Sequence, residues 1–345
     1  MYVKGFLQKS VMLLMLLSVI GCAKVASEKV VFPVPPDQAR LEWIGTYRSQ
    51  NDFSGGVMTT LTGVGFDEKT GFTGVMGMTG SGDGRVLICD LSGQTVKVLD
   101  LDNKKITPFS SYAFGTPVAI ATDRQGQVYI TDTSNKKVLV FSPDGLLLRT
   151  IGGRDVIGKP SFLAVNDELG RLYVSDPKDD DIKVFGLTGE FLFKFGQRGK
   201  EPGEFHVPQG LAFDSEGQLF VADSLNARIQ VFTADGDFLR QFGQRGTFHH
   251  QFEAPKDLAF DSEGNLYVTD SRKPEFRVFD PESGTLLLWI GAGVTTQHKL
   301  GFTLPTGIYV DSLDRVYIGD LMLGRVTVWQ YLSAAHLARA QQSTK

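Results

Sequence analysis

The sequence predicts an all-β fold, a six-bladed β-propeller of four-stranded antiparallel blades. Residues 208–243 carry the signal most clearly. They hold four apolar runs of strand length, LAF, LFVA, IQVF and FLRQF, rich in Val, Ile and Phe. Turn-forming residues separate the runs, at Asp214 to Gly217, Asp223 to Asn226 and Ala234 to Gly236. Residues 117–152, 160–196 and 255–291 repeat the pattern; a shorter copy starts at Pro305 and a degenerate one near Phe72. The aspartate ending the second strand recurs at Asp90, Asp132, Asp176, Asp223, Asp270 and Asp320, at spacings of 42, 44, 47, 47 and 50 residues. A four-stranded unit at that period reads as a propeller blade, and six units as six blades. A lone sheet leaves both faces bare, whereas blades stacked in a ring cover one another.

Taken in order, the chain opens on an export signal over residues 1–21. Lys4 and Lys9 precede an apolar run at 11–20, then Gly21 and Cys22. The run is too short for a comfortable membrane span. Val19-Ile20-Gly21-Cys22 resembles the lipobox of bacterial lipoproteins. That resemblance implies lipidation at Cys22 and an extracytoplasmic, membrane-anchored protein. Ala23 after the cysteine, rather than Asp, implies the outer membrane where the host has one. Pro33, Pro35 and Pro36 mark residues 22–40 as a tether. Residues 46–71 form a Gly- and Thr-rich insertion before the first blade. The ring is expected over 41–330 and a short helical or disordered tail over 331–345, with Ser333 as a candidate N-cap. Cys89, the second of two cysteines, sits in a second strand and reads as a buried small hydrophobe.

Ring closure follows from a missing strand. The last repeat supplies strands at 306–310, 315–319 and 325–329, with no fourth before the tail. Residues 41–45 carry the fourth-strand signature of 148–152, 192–196, 239–243 and 287–291, yet no blade precedes them. They are expected to pair with 325–329 as the outer strand of the last blade, covering an open edge.

The repeat resembles the NHL family of six-bladed propellers. The resemblance rests on Phe195-Gly196, Gly199, Gly203-Glu204-Phe205, Pro208, Asp214, Gly217, Val221-Ala222-Asp223, Asn226 to Ile229 and Val231-Phe232. It covers roughly 70–330 and implies a fold more firmly than a function, because that family includes binding scaffolds and enzymes.

In a propeller, the loops between blades share a face with the two–three loops, and the one–two and three–four turns share the other. The second face is acidic: Asp123, Asp167, Asp214, Asp261 and Asp311 open its one–two turns, and Asp and Gly make tight turns. The first collects Arg154, Lys159, Arg198, His206, Arg228, Arg245, His249 and His250, the candidate binding residues, along with His298, Lys299 and the acids Asp179 to Asp181. A partner is expected there, a protein or other component of the cell envelope. The total of 35 Lys+Arg against 39 Asp+Glu, net −4, argues against nucleic acid. A monomeric ring without a cofactor is expected.

The six strand-end aspartates read as structural acceptors for backbone N–H groups. The run from Asp176 to Asp181 lacks the ligand spacing and turn glycine of an EF-hand loop. Peptidyl-hydroxyglycine lyases, propellers of similar repeats, place zinc-binding histidines directly after the blade-opening proline. Here those positions hold Val118, Ser161, Gln209, Lys256 and Thr306. No G-x-S-x-G motif or phosphate loop is present. The leading expectation is a binding module; the alternative is a metal-dependent hydrolase or lyase at the channel mouth.

Overall fold

The computed structural model describes residues 30–34, 36–53, 71–153, 156–291 and 301–342. Six antiparallel sheets form the ring, each running from an inner first strand to an outer fourth. The first five blades are Val75–Gly80 to Lys105–Pro108, Pro117–Thr122 to Leu147–Gly152, Leu163–Asn166 to Phe191–Phe195, Pro208–Phe213 to Phe238–Phe242, and Pro255–Phe260 to Leu286–Ile290. The sixth has inner strands Pro305–Val310, Arg315–Asp320 and Arg325–Tyr331.

The middle strands are buried along their length because both faces of each sheet are covered by neighbouring blades. Cores therefore lie between blades. Phe220, Ile229 and Val231 of blade four pack with Leu258, Leu266 and Val268 of blade five. Val75, Ile88 and Leu99 of blade one join Tyr317, Val326 and Val328 of blade six.

The closing strand is formed as expected and runs further, Leu41–Tyr47. Its register pairs Leu41 with Tyr331, Trp43 with Trp329 and Tyr47 with Val326, with a bulge between Trp43 and Gly45. Leu41 is wholly buried. The ring is also pinned at its inner edge, where the Thr306 hydroxyl donates to Val75 O at 2.7 Å. Beside it, a Cβ on Gly307 would collide with the Met76 carbonyl, so blades six and one approach as only glycine permits.

The tether expected over 22–40 is partly built into the sheet. Val31–Phe32 adds a fifth strand outside Leu41–Tyr47, and the Phe32 ring meets Trp329 edge-on at 6.0 Å. The start of the insertion is anchored too: Gln50 donates to Lys104 O at 2.7 Å and accepts from Ile106 N at 2.8 Å. Most of the insertion, residues 54–70, lies outside the described residues. The tail forms a helix, α1, Ala334–Gln342. Ser333 caps it, its Oγ accepting from His336 N at 3.2 Å and donating to Asp314 Oδ2 at 2.7 Å. Among the described residues, no helix is long and apolar enough to cross a membrane.

Candidate functional site

The interblade loops are held by the strand-end aspartates. Each accepts a backbone N–H from the loop entering its own blade: Asp90 from Gly74 at 2.8 Å, Asp132 from Gly115 at 2.9 Å, Asp176 from Gly158 at 2.6 Å, Asp223 from His206 at 2.7 Å, Asp270 from Ala254 at 2.9 Å and Asp320 from Thr303 at 2.6 Å. Four also hold a buried cation from the third strand: Lys97 on Asp90, Lys183 on Asp176, Arg228 on Asp223 and Arg277 on Asp270. Burial raises the Asp90 carboxyl, but hydrogen bonds from Lys97 and Thr73 outweigh it and leave it below the usual range. At Asp223, burial wins over the same kinds of bond and the carboxyl stays raised. These carboxylates are structural acceptors, consistent with their recurrence once per blade.

Among the described residues, one group of His, Cys, Asp or Glu has metal-ligand spacing: Asp176, Asp179 and Asp181. The Lys183 ammonium fills its centre, at 3.0, 2.9 and 2.6 Å from the three carboxylates. Its amine is buried, which opposes charge, but the bonds to Asp181, Asp179 and Asp176 prevail and raise its pKa. The protein's own lysine thus takes the place of a cation.

The predicted binding residues fall in different environments. Arg228 is buried, not open on the face: its guanidinium reaches Asp223, Gln241 and the carbonyls of Lys200, Glu201 and Glu204, tying the entering loop to blade four. Arg245 is exposed but donates to Leu225 O at 2.6 Å and Glu253 O at 3.1 Å. His206 and Lys159 use their backbone N–H groups on Asp223 and Asp176, and the Lys159 side chain is exposed. Arg198 is 76% exposed, with its Nε 3.9 Å from the Asp180 carboxylate. His249 and His250 lie in an aromatic patch. The His249 ring stacks on Trp289 at 3.8 Å, with its Nδ1 2.9 Å from the buried Glu275 carboxylate. His250 stacks on Phe248, itself 67% exposed. His206, His249 and His250 form no group of metal-ligand spacing among the described residues. Cys22, Arg154, His298 and Lys299 lie outside the described residues. Cys89 is fully buried, which pushes its thiol far above the ordinary range.

The central channel holds residues that reading the loops alone misses. Toward the loop face, Gln209 Oε1 accepts from Ser161 Oγ at 3.1 Å and from Lys256 Nζ at 2.6 Å, linking three blades. Lys256 Nζ also sits 5.2 Å above the Phe162 ring. Burial of the amine lowers its pKa to about 8. Below lies a cavity of about 290 Å³ lined by the first strands. It extends to Thr79, Thr122, Val165, Phe213, Phe260 and Val310, the strand ends that lead into the one–two turns. Asp257 lines it, and its Oδ1 accepts from Leu258 N at 2.9 Å and Oδ2 from Ile308 N at 3.0 Å. Burial raises this carboxyl to about 7, against the backbone bonds and the Lys256 charge. The signal was present in the repeats: the second residue after the opening proline is Ala119, Gly210 and Gly307 in three blades and Asp257 in another.

The ring is a six-bladed β-propeller, and part of it matches the NHL repeat. The NHL repeat model matches residues 205–232, the stretch entering and forming most of blade four. No curated protein sequence matches the chain. Similar solved structures include a Bacteroides thetaiotaomicron protein of unknown function, with TM-score 0.62 and 18% identity over 76% of this chain and 70% of that one. A gluconolactonase from Xanthomonas campestris follows at 0.60 and 17%, over 75% and 86% of the two chains. An auxiliary nutrient binding protein of Bacteroides thetaiotaomicron gives 0.59 and 15%, over 76% and 70%. At these identities the likeness is one of fold.

Proposed function

We propose that the protein is a binding module, lipid-anchored through Cys22 outside the cytoplasm, that holds a protein partner of the cell envelope on its interblade-loop face. The observation that carries this reading is the outward aromatic and cationic patch on loops whose backbones are firmly tied down. Phe248, His250 and the His249–Trp289 stack share the interblade-loop face with exposed Arg198 and Arg245, while buried aspartates and the Arg228 guanidinium fix the loops beneath. A rigid platform with exposed aromatics loses little entropy on binding. The nutrient-binding neighbour shares the fold.

The other reading, a metal-dependent hydrolase or lyase at the channel mouth, draws on the fold shared with the gluconolactonase. It would need a metal where Lys256 already directs an ammonium at Gln209. Binding is the better-supported function.

The test is affinity capture from the native envelope with the lipidated protein. Arg198→Glu combined with Phe248→Ala should remove the captured partner, while Glu216→Lys on the opposite turns should retain it. Unfolding free energies within about 0.5 kcal/mol of the wild type, the range of ordinary surface changes, would show that the variants remain folded. Undiminished capture by the loop-face variant would reject this reading.

A further inference from the structure

We propose a second binding site, independent of the loop face: the central cavity takes a small organic ammonium ion, held by the Asp257 carboxylate. The case begins with a contrast among buried carboxylates. Asp90, Asp176, Asp223 and Asp270 each have a lysine or arginine nitrogen within 3.0 Å. Asp132 and Asp320 lack one, but each is enclosed by at least three backbone N–H groups of its loops. Asp257 is 7% exposed, makes no ion pair among the described residues, and lines an open cavity. The neighbouring Lys256 ammonium is committed to Gln209 and lies over the Phe162 ring instead. A buried carboxylate without a counter-charge is costly, and a bound cation would relieve that cost.

The carboxylate retains capacity for such a cation. Each oxygen accepts one backbone N–H, from Leu258 or Ile308, and has a second lone pair. The cavity of about 290 Å³ that Asp257 lines gives the cation room.

The surroundings select the class of ligand. Asp257 is the one carboxylate among the lining residues, whereas a divalent metal collects several charged oxygens. Ala121, Ala212 and Ala259 line the wall between polar backbone groups of the first strands, leaving apolar surface for only a short hydrocarbon body. The cavity extends toward the turns carrying Asp123, Asp261 and Asp311, whose field favours entry of a cation. A protonated primary amine with a short alkyl chain meets these conditions.

Binding should be linked to pH. The groups facing Asp257 are Lys256 on its own strand, the Ile308 amide of blade six and the side-chain-free Gly210 of blade four; Lys159 acts on it through Lys256. Its carboxyl titrates at about 7, and the ligand requires the ionised form. An alkylammonium stays charged well above that pH, so affinity should rise about tenfold from pH 6 to pH 8.

Calorimetric titration of the folded protein with n-butylammonium chloride tests this, with 1-pentanol and calcium chloride as comparison ligands. The expected result is saturable binding at pH 8, about tenfold weaker at pH 6, abolished in Asp257→Asn and strongly reduced in Ala212→Leu, which narrows the cavity. If Asp257→Asn fails to fold, the wild-type pH ratio and Ala212→Leu decide. Absence of saturable binding at pH 8, a pH-independent affinity, or equal uptake of 1-pentanol would overturn the proposal. So would Asp257-dependent calcium binding, which would make the cavity a metal site. The loop-face variant Arg198→Glu/Phe248→Ala should bind n-butylammonium normally, so this site and the partner face can fail separately.

Discussion

Lys183 shows how one residue can settle a reading that spacing leaves open. Three carboxylates surround its ammonium at metal-ligand spacing. Replacing it by an apolar side chain strands buried Asp176 without a counter-charge and leaves buried Asp181 only the exposed Lys194. Lys183→Met should cost about 3–5 kcal/mol, measured by urea denaturation at pH 7. Calcium chloride should restore part of that loss in the variant and leave the wild type unchanged. The Lys183 hydrogen bond also holds the Asp179 carboxyl below its ordinary value. Its contribution is therefore present above the ordinary carboxylate pKa of about 3.9 and is lost as pH falls through the lower folded value. Lys183→Met should accordingly show a shallower loss of stability below about pH 4 than the wild type.

Asp257 titrates in the opposite sense. Its folded pKa is raised to about 7, so its contribution is complete below the unfolded value near 3.9 and is lost as pH rises to 7. Asp257→Asn, which cannot ionise, should gain on the wild type by a few kcal/mol on the order implied by that shift between pH 4 and pH 8. Parallel denaturation midpoints for the two proteins across that range would contradict the raised pKa.

At the scale of elements, the outer strand of blade six is the joint between the chain's two ends. A chain shortened to begin at Thr46 loses Leu41, Trp43 and Ile44, of which Leu41 is wholly buried against blade six. It should lose several kcal/mol, at about 1.5–3 kcal/mol per fully covered large side chain, or aggregate through the bared edge of Arg325–Tyr331. Among the described elements, a chain beginning at Pro36 loses Val31–Phe32, and it should fold with a modestly lower urea midpoint. Equal midpoints for the two shortened chains would refute the closure.

This joint was legible because five signatures recur and one lacked a blade. Val31–Phe32 was not, because a two-residue strand has no periodicity and the flanking prolines argue for a tether. Among side chains, repeat position told more than residue type. The strand-end aspartates were readable as acceptors because they recur at the same place. Arg228 was misplaced because an arginine near a loop suggests an exposed charge, whereas the third strand turns it inward onto Asp223. Asp257 was not legible because its position recurs as Ala119, Gly210 and Gly307 in three other blades, so no repeated residue type marked it.

For the whole molecule, the turns of the acidic face owe their aspartates to geometry. Asp123, Asp214, Asp261 and Asp311 each accept two backbone N–H groups within their own turn. Other acids there brace neighbouring blades, as Arg171 with Asp235 and Arg240 with Glu282, both at 2.7 Å. The loop face spends its buried charges on holding loops and leaves Phe248, His250 and Arg198 outward. Anchoring would keep that face near its partner: Cys22→Ser should shift the protein from the membrane fraction to the soluble fraction, measured by fractionation of the expressing cells. Unchanged membrane partitioning would reject the lipid anchor.

The most direct measurement of the central claim is photo-crosslinking in intact cells, with the reactive amino acid placed singly at Phe248, Arg198 or Glu216. The account predicts one shared crosslinked partner from Phe248 and Arg198 and none from Glu216. The same partner captured from Glu216 alone, or no crosslink from either loop-face position, would contradict it.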